Sequence, residues 1–285
     1  MKNQRKEQAL KLHESVSFHN NLNKIPFSKL NEVERSLAMM LLIHVKEKGS
    51  DLIEFSASDL KSKLPGNYTE QQFKTLVQGL HDHFFNIDFE TVAQMQDGTV
   101  EVDYHHLFNH FTIVFTDATK KIVKAVRLQV NPPFLYIVND LVKCFTTFEL
   151  REFCLVQGKY AKDIYRLLKQ YKSTGEAYFD WQGFIELLGI GDKSIAYIEN
   201  KVLKRAVLEL SRNIELETPP RPAFRNLAYE KIREEHTRGR PVKGIRFTFE
   251  PEQKKTRKTP KAAAPKAQGV KTLFTAEKQR RRSSK

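Results

Sequence analysis

From Lys193 to Glu217 the chain reads KSIAYIENKVLKRAVLELSRNIELE, a stretch whose side chains are suited to holding a polyanion. Lys193, Lys201, Lys204, Arg205 and Arg212 supply positive charge, and Ser194, Tyr197 and Asn200 supply hydrogen-bonding groups. At helical spacing, with Ile195 set to zero, Ile198, Val202, Leu203, Ala206 and Leu210 fall between about 300° and 80° and form the face that packs inward. The cations and Tyr197 fall between about 160° and 280°, with Ser194 inside that arc and Asn200 at its edge. Glu199 and Glu209 both lie outside it. A basic face free of carboxylates suits phosphate neutralisation, because each stray acid would repel the nucleic-acid backbone. Polar groups in the N-terminal half of such a helix can also reach base edges in a major groove.

A run of charge on a helix is more often a solvated face, so neighbouring segments decide the matter. The preceding helical stretch carries Lys159, Lys162, Arg166, Lys169 and Lys172 at spacings of 3, 4, 3 and 3. Further on, Arg233, Arg238, Arg240, Lys243 and Arg246 cluster where a β-hairpin is expected. Three basic surfaces in one region point to double-stranded DNA as a partner.

Other chemistry is poorly supported. HDH at 81–83 and DYHHLFNH at 103–110 invite a metal, but Asp82 separates the first pair and adjacent histidines in a strand face opposite ways. GIGDKS (189–194) lacks phosphate-loop spacing, since Asp192 stands between Gly191 and Lys193; it reads as a turn between helices. Cys144 and Cys154 form no CxxC, so neither a disulfide framework nor a zinc site is indicated. The expectation is a non-enzyme without cofactor or metal. The longest apolar run, LAMMLLI at 37–43, is too short for a bilayer, and the polar N-terminus has no signal core. A cytoplasmic protein with no membrane partner follows.

The elements that must position the basic helix come in two similar sets. NEVERSLAMMLLIHVKEKG announces a long helix, with Asn31 and Glu34 spaced as a capping box and Gly49 as its stop. An extended DLIEF (51–55), a helix over 56–64 and a helix from about Thr69 follow. In the last, Phe73, Leu76, Val77, Leu80 and Phe84 make one apolar stripe. Strand signals come next: IDFETVAQM, a turn at Asp97-Gly98, TVEVDYHHLF, FTIVFTD and IVKAVRLQV. The order then recurs: a helical region, AYFD (177–180), WQGFIELLG (181–189), the basic helix, IELE (214–217) and GIRFTFE (244–250). Offsets between the copies are 124 for Phe55 to Phe179 and for Leu64 to Leu188, 125 for Phe73 to Ile198, and 127 for IDFE to IELE. The near-constant offset predicts an internal duplication. The expected fold is α+β: tandem winged-helix domains, each a helix-turn-helix with a β-hairpin.

The expected layout is an N-terminal arm (1–13), a first winged helix (14–140), a second (141–253) and a basic tail (254–285). The tail holds 12 Lys or Arg against Glu277 alone, so +11 of the net +14 resides there. Its Lys-, Ala- and Pro-rich composition predicts disorder. The first copy presents Gln71, Gln72, Lys74, Thr75, Gln78, His81 and Asp82 opposite its apolar stripe. With one permanent positive charge there, it is expected to contact DNA weakly and to serve self-association, leaving the second domain as the main reader.

GKYAKDIYRLLKQYKSTG (158–175), Trp181, FIELLGIGDKS (184–194), VLKRAV (202–207) and GRPVKGIRFTFE (239–250) resemble the replication initiator family of theta-replicating, iteron-type plasmids. The resemblance covers most of 15–250 and is strongest from 145 to 250. It implies two winged-helix domains, recognition of direct repeats at an origin and local opening of that origin. It further implies recruitment of the host initiator and replicative helicase. It also implies a monomer–dimer equilibrium, in which dimers bind an operator inverted repeat and repress the protein's own gene. By position, the family's recognition helix falls on 194–212. The alternative is a winged-helix repressor with no replication role, which predicts symmetric half-sites.

Overall fold

The computed structural model describes residues 15–25, 27–46, 48–85, 88–94, 99–139, 141, 144–216, 219–235 and 239–252. The expected arm (1–13), the Asp97-Gly98 turn and the basic tail lie outside them. The first half runs β1 (Ser15–His19), α1 (Glu32–Val45), β2 (Ile53–Ser56), α2 (Ala57–Lys63) and α3 (Glu70–Leu80), which continues into a π turn at His81–Phe85. Then come β3 (Asp88–Gln94), β4 (Val100–His106), β5 (Phe108–Phe115), β6 (Val123–Val130) and a short α4 (Leu135–Val138). The second half runs β7 (Phe145–Glu149), α5 (Leu150–Leu155), α6 (Lys159–Lys169), β8 (Glu176–Asp180) and α7 (Trp181–Leu188). The basic helix, α8, follows as three continuous pieces, Ile195–Tyr197, a π segment Ile198–Leu203, and Lys204–Ser211. β9 (Asn213–Ile214), β10 (Arg221–Pro222), β11 (Ala228–Arg233) and β12 (Val242–Thr248) close the unit.

Local chemistry explains the helix boundaries. Asn31 accepts from the Val33 and Glu34 amides while Glu34 accepts from the Asn31 amide, completing the capping box at α1. Thr69 and Gln72 do the same at α3. The apolar stripe of α3 is buried as its period predicts, with Phe73, Val77 and Leu80 fully enclosed. Asp180 caps α7 at one end, and Gly189 in the left-handed region ends it. Gly189 is doubly constrained: a Cβ there would come 1.9 Å from the Cβ of Ser28, so only glycine lets this turn rest against the first half of the chain.

The duplication is visible in strand register. Phe55 on β2 lies opposite Val126 on β6, which lies opposite Ile113 on β5. Phe179 on β8 lies opposite Ile245 on β12, which lies opposite Lys231 on β11. Both three-stranded sheets are antiparallel and have the same strand order, β2-β6-β5 and β8-β12-β11.

One expectation changes. IELE is not a wing strand: only Ile214 belongs to a strand, the two-residue β9, which pairs with β10 as a small corner, and Glu217 lies outside the described residues. Pro219, Pro220 and Pro222 remove the amide donors that a longer ladder would need. At the equivalent point of the first half, the strand Asp88–Gln94 is full length and pairs with β4 as a hairpin outside the main sheet. The true wing of the second half is β11 and β12.

The two halves share one apolar cluster and a set of buried polar links. β1 pairs antiparallel with β7, Ser17 opposite Thr147. Arg35 of α1 forms a two-pronged ion pair with Asp163 of α6, both contacts 2.9 Å and both side chains buried.

Candidate nucleic-acid interface

The α8 helix begins at Ser194, whose Oγ accepts from the Tyr197 amide at 3.2 Å. Ile198, Val202, Leu203, Ala206 and Leu210 are buried, the inward face that the period predicted. Two neighbours, Val202 and Leu203, are buried together where the π segment widens the turn. Lys193, Tyr197, Asn200, Lys201, Lys204 and Arg205 are all exposed. Asn200 donates to the Ala196 carbonyl at 2.9 Å and accepts from the Lys204 ammonium at 3.0 Å. Lys193 lies over the Tyr197 ring.

Lys201 and Arg205 face the start of α6 across a groove of about 360 Å³. Gln157, Gly158, Lys159, Tyr160 and Tyr197 complete its walls. The groove is held from both halves of the chain. The Gln157 amide donates to Glu209 of α8 at 2.7 Å, and the Gly158 amide donates to Glu32 of α1 at 2.7 Å. These carboxylates satisfy the backbone donors ahead of α6, and Lys159, Lys201 and Arg205 supply the positive charge of the groove.

Two parts of the expected surface are corrected. Lys162, Arg166 and Lys169 do not form an outward stripe; each is at most 3% exposed. Lys162 donates to Ser36 Oγ and to the Phe153 and Cys154 carbonyls. Arg166 donates to the Leu22 and Ile25 carbonyls and lies 4.2 Å from the Phe27 ring. Lys169 pairs with Glu152 at 3.0 Å and Glu252 at 2.5 Å. The reason is that α6 is packed on both its apolar and its basic sides, so its cations serve as internal links. Of the basic residues on that helix, Lys159 alone is exposed, set over the Tyr160 ring. Burial pushes Lys162 down to about 8 and Arg166 down to about 10. Lys172, half-buried, donates to the Thr147 carbonyl.

Arg212 is the second correction. It follows the last helical residue in an extended conformation (φ −73°, ψ 148°), so a helical wheel does not locate it. Its guanidinium binds Glu209 at 2.6 Å and the Leu155 carbonyl at 2.8 Å. Ile195, expected inside, is 36% exposed, because residues 191–197 are open to solvent along their whole length.

In the wing, Arg240 and Lys243 are exposed, and Arg238 lies outside the described residues. Arg240 has a positive φ of 43° and its carbonyl accepts from Arg233 at 2.7 Å, closing the hairpin mouth. Arg246 is partly neutralised by Glu176 at 3.1 Å. A feature that sequence spacing could not reveal is the pairing of Glu199 on α8 with Lys231 on β11. That bond holds the Glu199 carboxyl below its usual range and ties the helix to the wing.

The first half offers a different surface. Gln71, Gln72, Thr75, Gln78 and Asp82 are exposed along α3, and Lys74 lies over the Phe115 ring. His81 stacks on Phe85, and His83 bonds Glu34 at 3.1 Å. Among the described residues no three metal-ligating side chains come together.

Two family models match this chain, "Initiator Replication protein, WH1" over residues 15–169 and "Initiator Rep protein, WH2" over residues 180–249. The chain belongs to the initiator replication protein family. A relative in Bifidobacterium longum (strain NCC 2705), described as "Probable replication protein rep", is 29% identical over 199 residues. That alignment takes in 69% of this initiator-family chain and 63% of the relative, so the chain spans somewhat under two thirds of the relative's length. Among solved structures, one titled "Crystal structure of Pi initiator protein in complex with iteron DNA" superposes with a TM-score of 0.60. It covers 85% of this chain and 99% of its own at 12% identity, a level at which the likeness is one of fold. Within the initiator family's two-domain frame, the exposed basic helix α8 and its wing lie in the WH2 match. No helix among the described residues is long and apolar enough to cross a membrane.

Proposed function

We propose that this chain initiates plasmid replication by binding repeated duplex sites at an origin, with α8 as the reading helix of the second winged domain. The observation that carries the reading is the exposed face of Lys193, Lys201, Lys204 and Arg205 above a fully buried apolar face. Lys159 extends that face across the groove, and Arg240 and Lys243 extend it along the wing, where backbone phosphates are reached. Arg205 and Lys201 are suited to guanine edges or phosphates. The chain acts by binding and reshaping DNA, without a catalytic centre, cofactor or metal of its own.

The first winged domain, spanning 14–140 as we divide the chain, contacts DNA more weakly and pairs two copies of the protein. Dimers then bind an operator inverted repeat and repress the protein's own gene, while monomers engage the direct repeats. Host initiator and replicative helicase are recruited to the opened origin, and the protein works in the cytoplasm. The basic tail after Glu252 adds salt-sensitive affinity without sequence preference.

The test is selection of bound duplexes from a random pool at physiological salt, using residues 1–252, which form a compact unit. Convergence on one asymmetric site of about two helical turns is the expected result, since two reading domains in one monomer need no palindrome. Convergence on a palindrome alone would favour a dimeric repressor. Retention without convergence would overturn the reading.

A further inference from the structure

The polar groups best placed to read bases on α8 are largely engaged within the helix itself. Asn200, the only side-chain amide on that helix able to clasp an adenine, has its NH₂ on the Ala196 carbonyl and its oxygen on Lys204. Ser194 Oγ accepts the Tyr197 amide as the helix cap. Beside the exposed Lys193 and Tyr197, the first turn leaves two apolar residues open: Ile195, 36% exposed, and Ala196, also exposed. Single exposed apolar residues are common and need no explanation. Here, however, two adjacent ones occupy the leading turn of the helix, the part that enters a major groove. They also adjoin the cationic surface: Lys193 precedes them, and the Ala196 carbonyl is linked through Asn200 to Lys204. The base feature that matches an apolar contact in the major groove is the C5-methyl of thymine.

We propose that Ile195 and Ala196 are the specificity-determining residues of this surface for A·T pairs, reading thymine methyl groups by apolar contact. The inference rests on the proposed DNA-reading role of α8 and adds the base chemistry that the helix selects. Lys201 and Arg205 then anchor the helix, and the thymine contacts set its register along the site. The selected site carries thymine at one or two fixed positions within the segment that α8 covers.

The test uses the full chain and the duplex obtained by selection, with each thymine replaced in turn by deoxyuridine, which removes one methyl and leaves every hydrogen-bonding group. Replacement at one or two positions is expected to weaken binding about fourfold per methyl, the factor that corresponds to burying one carbon group. Ile195→Ala or Ala196→Ser should weaken the normal duplex and abolish the penalty at its own position. The wild-type chain on uracil duplexes answers the question even if a variant folds poorly. Uracil tolerated at every position would overturn the inference while leaving the DNA-binding reading intact. An unchanged penalty in both variants would also overturn it, by assigning the methyl contact elsewhere. Failure of selection to yield any site would remove the DNA-reading role, and this inference with it.

Discussion

Two helices of the second half, α6 and α8, look alike as sequence and end in opposite surroundings. Each has an apolar stripe and a stripe of basic residues at helical spacing. On α8 the apolar side is buried and the lysines face solvent, as amphipathic logic expects. On α6 every residue from Ala161 to Lys169 is buried, the basic side included. The difference is how many layers cover each helix. α8 lies on the outside of one winged domain, whereas α6 is packed against α1 and the segment around Leu22–Ile25 on one side and α8 on the other. Positive charge on a helix therefore reports a need for partners, which carbonyls and carboxylates of the same chain can meet as well as phosphates.

The sharpest way to break the comparison is to remove a charge from each helix system and read stability and binding separately. Arg35→Ala, which strands the Asp163 carboxylate of α6 in the interior, should cost about 3–5 kcal/mol of folding free energy. A urea midpoint within error of wild type would refute the buried link. Lys201→Ala with Arg205→Ala on α8 should leave that midpoint nearly unchanged, while specific binding falls about 10- to 100-fold. Undiminished binding by this double variant would sink the assignment of α8 as the reading helix.

The third prediction concerns pH. Lys162 releases its proton near pH 8 in the folded chain, against 10.5 when free in solution. Between those values the unfolded chain holds the extra proton, so the stability contributed by this group rises with pH across that window. Against Lys162→Met, in which Cys154 and Tyr165 remain, wild type should gain on the order of 2 kcal/mol from pH 8 to pH 10. A flat difference would mean that the lysine stays charged in the core. The smallest effect is expected at the junction of helix and wing. Glu199 pairs with Lys231 and lies 3.9 Å from Lys204, so Glu199→Gln frees both lysines, and the salt dependence of DNA binding should steepen slightly while the preferred site blurs. A salt slope identical to wild type would assign Glu199 no part in positioning the wing.

Much of this was legible from residue types alone. The capping box at Asn31, the helix start near Thr69, the stripe from Phe73 to Phe84, and the turn at Gly189 and Gly191 depend on neighbours within a few residues. Local chemistry of that kind survives whatever the rest of the chain does. The near-constant offset between copies likewise foretold two similar domains, which the matched registers of Phe55 and Phe179 bear out. The strand at IELE stopped at Ile214 because three prolines close by deny it a longer ladder, and the wing moved to Ala228–Arg233.

By itself, then, the order of residues determined the helices, the repeated winged-helix plan and the inward face of α8, since period and caps are short-range properties. Only the tertiary structure decided which basic residues meet solvent. Lys162 and Arg166 vanish into the core where the first half of the chain covers them, and Lys169 where Glu152 and Glu252 of its own half do; Arg212 turns back to Glu209 once the helix ends. Ile195 and Ala196 come to the surface because nothing packs over the first turn. Exposure depends on what lies on the far side of an element, and that is set by segments more than a hundred residues away in the chain, as Arg35 and Asp163 show.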